Sequence, residues 1–335
     1  MYSRDLWYES AVKYDGFKNI TFQQMEALVH LVEERSFSRA AKKMLLTQPA
    51  LTKHIKNIEE VLGAKVVNRG GAGLSLTPEG NILHDYAGRI LRLRDEVKEK
   101  IENARGNAGG VVTVAASTIP ATYILPRILK GFQEVCPGIQ VRIESMDSEK
   151  ALDSILNGEA DIGFVGKSPP GRRIYAEVFW PDRLILVVPA GHPWAKRKSV
   201  SAKKLVKEPF VTRERGSATR EVVESCLKQN GGLNPADLNV AAELGSSEAV
   251  KEAVVAGVGA SVISIHAVAR EIRQGLLSGL TVKGCPFARS FYLIYRRRLD
   301  LMQYHRLFID YARRQPIPAD VDLLQQRSFV TWPIK

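Results

Sequence analysis

The chain of 335 residues is longer than one hydrophobic core usually requires, so we expect two or three domains. Its 45% hydrophobic and 25% charged residues are ordinary for a soluble protein, and no run of about 18 apolar residues is present, which argues against a membrane-spanning helix. The formal net charge of +12 weakly favours polyanionic partners without identifying one.

The N-terminal segment predicts a cytosolic protein, and the cysteines predict neither a disulfide nor a metal site. Residues 1–20 have no apolar centre of the kind that a secretory signal contains. Three widely separated cysteines, Cys136, Cys226 and Cys285, indicate neither a disulfide framework nor a zinc site. We interpret them as small core residues; a redox switch at Cys136 or Cys226 is the alternative, and it would need an exposed thiolate with a resolving partner.

Three short helices are predicted between residues 21 and 63, after an N-terminal extension without clear periodicity. Each begins at a residue that suits an N-cap: Thr21, which forms a capping box with Gln24, then Ser36 and Thr47. In the third helix Leu51, Ile55 and Ile58 share one apolar face. These helices would form one small domain.

A hairpin and a long helix follow. The segment "AKVVNRGGAGLSLT" predicts two short strands around a turn that carries Arg69. Thr77 and Pro78 suit the start of a helix that nothing interrupts before residue 105. Its apolar residues repeat every seven, and we expect them to form the seam of a dimer: Leu83, Tyr86, Ile90, Leu93 and Val97. The alternative is a helix that packs only on its own domain.

The remainder of the chain alternates strands with helices. After a glycine-rich joint at residues 105–110, apolar strand segments such as "VVTVAAS" and "IQVRIES" alternate with helical segments such as "TYILPRILKGFQEVC". A second, similar set follows and ends with "SFYLIYRRR" and a closing helix. This alternation predicts a parallel sheet with helices on both faces, arranged as two lobes.

The third helix, in "TQPALTKHIK", has the character of a DNA-recognition helix. Its outer face is small, polar and basic, as insertion into a major groove requires. A glutamine can bond adenine, a small apolar group can touch a thymine methyl, and a lysine can meet guanine or phosphate. The expected DNA-binding residues are Ser36, Thr47, Gln48, Pro49, Ala50, Thr52, Lys53, Lys56 and Arg69. A lysine-bearing face is more often simply solvated, but here a basic wing and a dimerising helix follow it.

The segment "SFSRAAKKMLLTQPALTKHIKNIEEVLGAKVVNRGGAGLSLTPEG" resembles the winged helix-turn-helix of LysR-type transcriptional regulators. "VTVAASTIPATYILPRIL", "NGEADIGFVG", "LILVVPAGHPWA" and "EAVVAGVGASVIS" are similar to the effector-binding region of that family. The resemblance covers nearly all of the chain after residue 20. Val67 replaces a common phenylalanine, His54 replaces a common arginine or glutamine, and the extension precedes the usual start.

The resemblance implies a fold, a function and partners. It implies a winged helix-turn-helix, a long linker helix, and a two-lobed α/β effector domain of the periplasmic-binding-protein-like (type 2) class. The expected boundaries are 1–20 for the extension, 21–80, 81–106 and 110–335, with lobe I at about 110–185 and 286–335 and lobe II at about 186–285. Such a protein is a cytoplasmic homodimer or homotetramer that binds an operator in double-stranded DNA and a small-molecule co-inducer; RNA polymerase is a candidate partner.

A ligand cleft is expected where strands end and helices begin. Hydroxyl residues occupy four such junctions: Ser117, Thr118, Ser148, Thr212, Ser217, Ser246 and Ser247. Each alone is more often an ordinary helix cap. Because Arg213, Arg215 and Arg220 surround one junction, we expect an anionic effector such as a carboxylate, a phosphate or a sulfur oxyanion.

Other functional classes fit less well. The chain has no GxSxG or HExxH motif, its six histidines are scattered, and "GVGAS" ends a helix rather than opening one, so we expect no enzyme, no metal site and no nucleotide cofactor. A plain solute-binding protein would leave residues 21–105 unexplained. A purely architectural DNA-binding protein would leave the cleft without a role.

Overall fold

The computed structural model describes residues 15–70, 73–104 and 109–315. The chain divides into two compact units between residues 105 and 106. Most of the N-terminal extension and four residues of the expected joint, 105–108, lie outside the described residues.

The first unit contains the three expected helices. They are α1, α2 and α3, at Phe22–Glu34, Phe37–Lys43 and Gln48–Leu62. Thr21, Ser36 and Thr47 are their N-caps, and each side chain accepts a backbone hydrogen bond from the first turn, which confirms the three starts. Buried apolar residues from all three helices form one core, to which α3 contributes Leu51, Ile55 and Ile58. Residues Asp15–Asn19 of the extension form a short 3-10 helix.

The wing and the long helix are also present. Strands β1 and β2, at Val67–Gly70 and Gly73–Leu76, pair antiparallel. Helix α4 runs over Pro78–Ala104, so it begins inside the range expected for the winged helix-turn-helix. Thr77 fixes its start, because its hydroxyl accepts from the Gly80 amide at 3.0 Å and donates to the Lys65 carbonyl at 2.7 Å.

The expected dimer seam on α4 requires one correction, at Leu83. This side chain is buried in the core of the first unit and is not on the exposed stripe. Leu83, Ala87 and Leu91 are all buried, and they follow the four-residue spacing of one helix face. The first turns of α4 pack on the helices and wing of the first unit, which we call the head. The seven-residue repeat therefore assigned Leu83 to the dimer seam although its side chain faces the core of the head.

The second unit is built on an eight-stranded sheet in the order β4-β3-β5-β12-β6-β11-β7, with β10 also paired to β6. Its strands are β3 (Gly110–Ser117), β4 (Ile139–Met146), β5 (Ile162–Val165), β6 (Ile174–Pro189), β7 (Ser199–Ser201), β10 (Ser261–Ser264), β11 (Leu277–Lys283) and β12 (Ala288–Arg296). A separate parallel pair is formed by β8 (Phe210–Arg213) and β9 (Val240–Leu244). The expectation of a parallel sheet is therefore only partly right, since β6 pairs antiparallel with β10, β11 and β12.

Six helices flank these strands. They are α5 (Leu125–Val135), α6 (Ser148–Asn157), α7 (Ala218–Gln229), α8 (Ser247–Val255), α9 (Ile265–Arg273) and α10 (Gln303–Arg314). The long strand β6 joins the two lobes: residues 174–183 pair with β12, and residues 184–189 pair with β10 and β11. One lobe has its own core around Ile155 and Val165, and the other has one around Leu186 and Leu227.

Within residues 15–70, 73–104 and 109–315, the structure contains no helix with the length and apolar character needed to cross a membrane.

Candidate functional sites

The N-terminal end of α3 is an exposed polar surface. Thr47, Gln48 and Pro49 are exposed, and the Thr47 hydroxyl accepts from the Ala50 amide, which fixes the first turn. Leu51 and Ile55 face the core, so Thr52, Lys53 and Lys56 lie on the outer side and border a shallow surface groove with Gln48. The separation of faces expected from the sequence is present.

Lys53 and Lys56 differ from other lysines of this unit in their electrostatic surroundings. Lys43 pairs with Glu33 and Lys65 pairs with Glu59, each at 2.7 Å. Within the part of the chain that the structure describes, Lys53 and Lys56 make no such pair, although both are exposed. Their charges therefore remain available for a phosphate backbone.

Gln48 is oriented by a residue that the sequence did not identify. Its side-chain oxygen accepts a hydrogen bond from the Ser38 hydroxyl of α2 at 2.8 Å. This contact restrains the amide group at the tip of α3, where both its N–H donors remain available. Ser36 acts locally as the cap of α2, where it accepts from the Arg39 amide. The side chain of Arg69, on the wing, lies outside the described residues, so its role stays a prediction.

An apolar stripe runs along α4 away from the core of the first unit. Tyr86, Ile90, Leu93 and Val97 of the expected seam belong to it, and Ile82 and Ile101 extend it at both ends. Their exposed fractions are 63% for Ile82, 57% for Tyr86, 36% for Ile90, 59% for Leu93, 50% for Val97 and 50% for Ile101. Six such residues on one helix face indicate a surface that another molecule covers.

Polar residues from the end of β3 and from the starts of three helices lie close together in the second unit. Ser117 ends β3 and Thr118 follows it, Ser148 begins α6, Ser217 and Thr219 lie at the start of α7, and Ser247 begins α8. All six are buried. Helix N-termini carry unpaired amide groups and partial positive charge, so this arrangement favours an anion. Five of the seven hydroxyl residues that were expected from the sequence are brought together here.

Arg213, at the end of β8, lines this cleft and bonds to three of the residues around it. Its side chain is 5% exposed and forms a two-bond pair with Glu214, with both N···O distances 2.6 Å. The remaining nitrogen, Nη1, donates to Thr118 Oγ1 at 3.1 Å and to Ser247 Oγ at 2.7 Å. Thr118 and Ser247 also share a hydrogen bond with each other.

A second cation, Arg289 of β12, also lines this cleft. Its Nε donates to Asp182 at 2.7 Å, and its Nη1 donates to Thr219 Oγ1 at 3.0 Å. The side chain is only 6% exposed and lies over the ring of Phe291. A guanidinium has five N–H donors, and these two bonds use two of them. Arg289 therefore retains donors for a further acceptor.

One hydroxyl in the cleft lacks the bond that its burial would require, and a second makes no capping bond. Ser117 Oγ is fully enclosed and has no partner among the described residues. Ser217 occupies the N-cap of α7, yet its side chain makes no capping bond. The space between the cleft residues is about 10 Å³, which is room for one water. Buried polar groups normally have partners, so these hydroxyls point to a ligand contact.

The other residues expected in the cleft lie elsewhere. Among the described residues the Thr212 hydroxyl bonds to the carbonyl of Arg213, and Ser246 caps α8 through the Ala249 amide. Arg215 is exposed, whereas Arg220 pairs with Glu224 and Glu243. Of the three arginines expected near the anion, Arg213 lines the cleft and the other two do not.

Sequence reasoning missed Arg289, Thr219 and Asp147, which also line the cleft. Thr219 lies two residues after Ser217 on the same first helical turn, so the signal was available. Asp147 caps α6 through the Lys150 amide, and an aspartate before a helix is a recognisable cap. Arg289 had no local signal, because only the pairing of β12 with β6 places it beside Asp182.

The described residues contain no group of three or more His, Cys, Asp or Glu side chains that could hold a metal ion.

Two family models match the chain. The model of the "LysR substrate binding domain" matches residues 105–316, and that of the "bacterial regulatory helix-turn-helix protein, lysR family" matches residues 22–81. The HTH-type transcriptional activator CmpR of Synechocystis sp. is 31% identical over 294 residues, which are 88% of this chain and 95% of CmpR.

Two solved structures are similar in fold. Full-length CbnR in complex with its target DNA has a TM-score of 0.68 at 22% identity, and the match covers 88% of this chain and 99% of CbnR. The CcmR regulatory domain of Synechocystis PCC6803, solved with 2-PG, has a TM-score of 0.55 at 28% identity; that match covers 61% of this chain and 96% of the CcmR domain.

Proposed function

The chain belongs to the LysR family of transcriptional regulators, and we propose that a small anion bound between Arg213 and Arg289 controls its action on metabolic genes. The protein is a DNA-binding regulator and not an enzyme. We propose that the protein acts in the cytoplasm, where it can bind DNA. No cofactor is needed beyond the small-molecule effector.

Helix α3 is proposed to enter the major groove. Support comes from its exposed N-terminal end, from the orientation of Gln48 by Ser38, and from the unpaired charges of Lys53 and Lys56. Gln48 would read a base, and the two lysines would meet phosphate or guanine. The apolar stripe of α4 would pair with the same stripe of a second copy, giving homodimers that assemble into homotetramers.

One observation carries the proposal of an anionic effector: two nearly buried guanidinium groups border a cleft in which Ser117 has no partner. Arginines bind carboxylates and phosphates through their planar array of donors. Hydroxyl groups and the backbone amides of helix N-termini add uncharged hydrogen-bond donors in the same cleft. The effector class is therefore a small carboxylate- or phosphate-bearing metabolite, and 2-PG, the ligand solved with CcmR, is the first candidate to test.

A metabolite needs a wider cleft than this one, whose space of about 10 Å³ suits one water, so binding would involve opening of the cleft. Opening would break the bonds from Thr118 to Arg213 and Ser247, and closure around the bound anion would restore them. The effector then shifts the protein between two arrangements by its difference in affinity for them, typically worth about 1–3 kcal/mol.

Calorimetric titration with 2-PG, inorganic phosphate and small carboxylates tests the effector class. We expect wild-type protein and Arg215→Gln, which removes an exposed charge two residues from the cleft, to bind one of these anions equally well. Arg213→Gln should lose at least about tenfold in affinity, since a hydrogen bond to a charged group contributes about 1.5–3 kcal/mol. Ser117→Ala should also bind more weakly while keeping its fold. Equal affinity in all four proteins would reject the anion site.

A further inference from the structure

Most of the net positive charge of the chain lies outside the DNA-binding head, in the longer second unit. Residues 1–105 contain 17 Lys and Arg and 14 Asp and Glu, which gives +3. Residues 106–335 contain 31 Lys and Arg and 22 Asp and Glu, which gives +9 of the total of +12. The effector-binding unit therefore carries most of the excess charge, although its ligand cleft uses only two cations.

Much of this charge lies on one surface, which we call the basic surface. It is formed by residues 194–207 and 281–285, and neither segment contains an acidic residue. Its seven cations are all exposed: Lys196, Arg197, Lys198, Lys203, Lys204, Lys207 and Lys283.

The fold holds these segments next to each other. Strand β7 pairs with β11, so that Lys283 lies opposite Ser201, and the Thr281 amide donates to the Lys198 carbonyl at 3.1 Å. A 3-10 helix, Ala202–Lys207, follows β7 directly, and its Leu205 is buried in the core of the lobe. The backbone of the basic surface is thus fixed by strand pairing and by the buried Leu205, while its cations are exposed to solvent.

The seven cations have no acidic partners within the described part of the chain. Other basic residues of this unit are paired, for example Lys167 with Glu221 at 2.6 Å and Arg313 with Glu177 at 2.7 Å. Glu208, the acidic residue that follows the first segment, instead contacts His192. No ion pair among the described residues therefore offsets the charge of the basic surface.

Protection of a sheet edge does not explain these charges. Strand β7 is at the edge of the sheet, and lysines on edge strands discourage pairing with other chains. However, β7 itself reads Ser-Val-Ser, and six of the cations lie before or after it. A protein partner is also disfavoured, because the two segments expose no large apolar residue and Trp194 is buried. Stable protein interfaces usually have aromatic or apolar anchors at their centre.

A polyanion with evenly repeated charge requires no such anchor, and duplex DNA is already the partner of this family. We propose that the basic surface of the effector-binding unit binds the phosphate backbone of duplex DNA, independently of sequence and in addition to the contacts of the head. This goes beyond the proposed function, which involves α3, the apolar stripe of α4 and the cleft. Each phosphate that is neutralised should add about 0.9 to the slope of log affinity against log salt concentration.

The test uses the full chain with Lys203→Gln, Lys204→Gln and Lys207→Gln combined, and a long duplex of mixed sequence, titrated across a salt series. We expect the slope to become shallower by about 2–3 units and the affinity at low salt to fall at least about tenfold. The matched control combines Lys130→Gln, Arg172→Gln and Arg173→Gln, which removes the same charge from exposed positions outside the basic surface. Its slope should equal that of wild type.

Two results would overturn the proposal: an unchanged slope in the basic-surface variant, or an equal loss in both triple variants, which would reflect net charge alone. A second variant, Lys196→Gln with Arg197→Gln and Lys198→Gln, repeats the test in case the first one is unstable to heat. Base selectivity through Gln48 and anion binding through Arg213 should be unchanged in these variants, so a failure here is distinct from a failure of the proposed function.

Discussion

Thr118 and Ser247 are 129 residues apart in the chain, and their hydroxyl groups share a hydrogen bond of 2.9 Å. Thr118 follows β3 in one lobe, whereas Ser247 begins α8 in the other. Arg213 donates to both hydroxyls through the same nitrogen. Hydrogen bonds among the three residues thus join the two lobes across the cleft. Opening the cleft must break the bonds from Thr118 to Arg213 and Ser247.

Thr118→Val should weaken the closed cleft. The substitution keeps the size of the side chain but removes its bonds to Ser247 and Arg213, so the closed form loses about 0.5–1.5 kcal/mol. If closure accompanies binding, anion affinity falls about 2- to 10-fold in calorimetric titration. Thr212→Val is the control, because the Thr212 hydroxyl bonds to the adjacent Arg213 carbonyl and to no cleft residue in the part of the chain that the structure describes. Equal anion affinities for the two variants would show that the bonds of Thr118 across the cleft play no part in binding.

Gln48→Ala and Lys53→Ala should impair DNA binding in different ways. Loss of the glutamine amide should reduce discrimination between operator variants by about 1–3 kcal/mol. Removal of Lys53 should instead lower affinity for all sequences and make the salt slope shallower by about one unit. Gel-shift assays across salt and operator variants separate the two effects, and Lys65→Ala, which removes a lysine paired with Glu59, serves as the control. A Gln48→Ala variant with unchanged base preference would exclude this residue from base reading.

The two faces of α4 should respond differently to substitution. Leu93→Asp with Val97→Asp places charges on the exposed stripe, and we expect monomers with an intact head in light scattering. Leu83→Ala instead removes a core side chain and should lower the free energy of unfolding by about 2–5 kcal/mol without changing the dimer interface. An intact dimer in the double variant would show that the stripe is not the dimer contact.

Glu248 should make the stability of the effector-binding unit depend on acid pH. Burial alone would raise the pKa of this carboxyl, but hydrogen bonds from Lys251 and Tyr123 bring the pKa below its ordinary value of 4.5. A carboxyl with a lowered pKa stabilises the fold above the pKa of its unfolded form, and that contribution disappears as pH falls through the folded pKa. Glu252 and Glu271 also contact Lys251, so the lysine charge is shared.

The measurement is the difference in the free energy of unfolding between wild type and Glu248→Gln across pH. We expect a stabilising difference at neutral pH that shrinks as pH falls below 4.5. Its size should be small, because the Glu248 side chain is about half exposed. Glu134→Gln, at an exposed position outside this cluster, should show no such trend. A difference that is constant between pH 7 and pH 3 would contradict the role assigned to Glu248.

Features with local chemical signals were predictable from the sequence. The starts of α1, α2 and α3 were correct because Thr21, Ser36 and Thr47 bond to the first turn of the helix they precede. The outer face of α3 followed from helical periodicity. Ser117, Thr118 and Ser148 were found because strand ends in such sheets meet at one edge.

Features that depend on contacts between distant segments were not predictable. Arg289 enters the cleft because β12 pairs with β6, and nothing near residue 289 indicates that pairing. Leu83 was assigned to the dimer seam because it fits the seven-residue spacing of Ile90 and Val97. The spacing alone does not show which turns of α4 pack on the core of the first unit. Arg215 was expected beside the anion, but β8 ends at Arg213, so the later residue faces solvent.

Titration of the effector into free protein and into its complex with operator DNA, chosen from genomic sites that the protein binds, tests the central claim most directly. If the cleft and the head are coupled, the two affinities differ by about 5- to 150-fold, and DNA affinity changes by the same factor when the effector is present. Arg213→Gln should abolish this difference while retaining DNA binding. Identical effector affinities for free and DNA-bound wild-type protein would contradict the account.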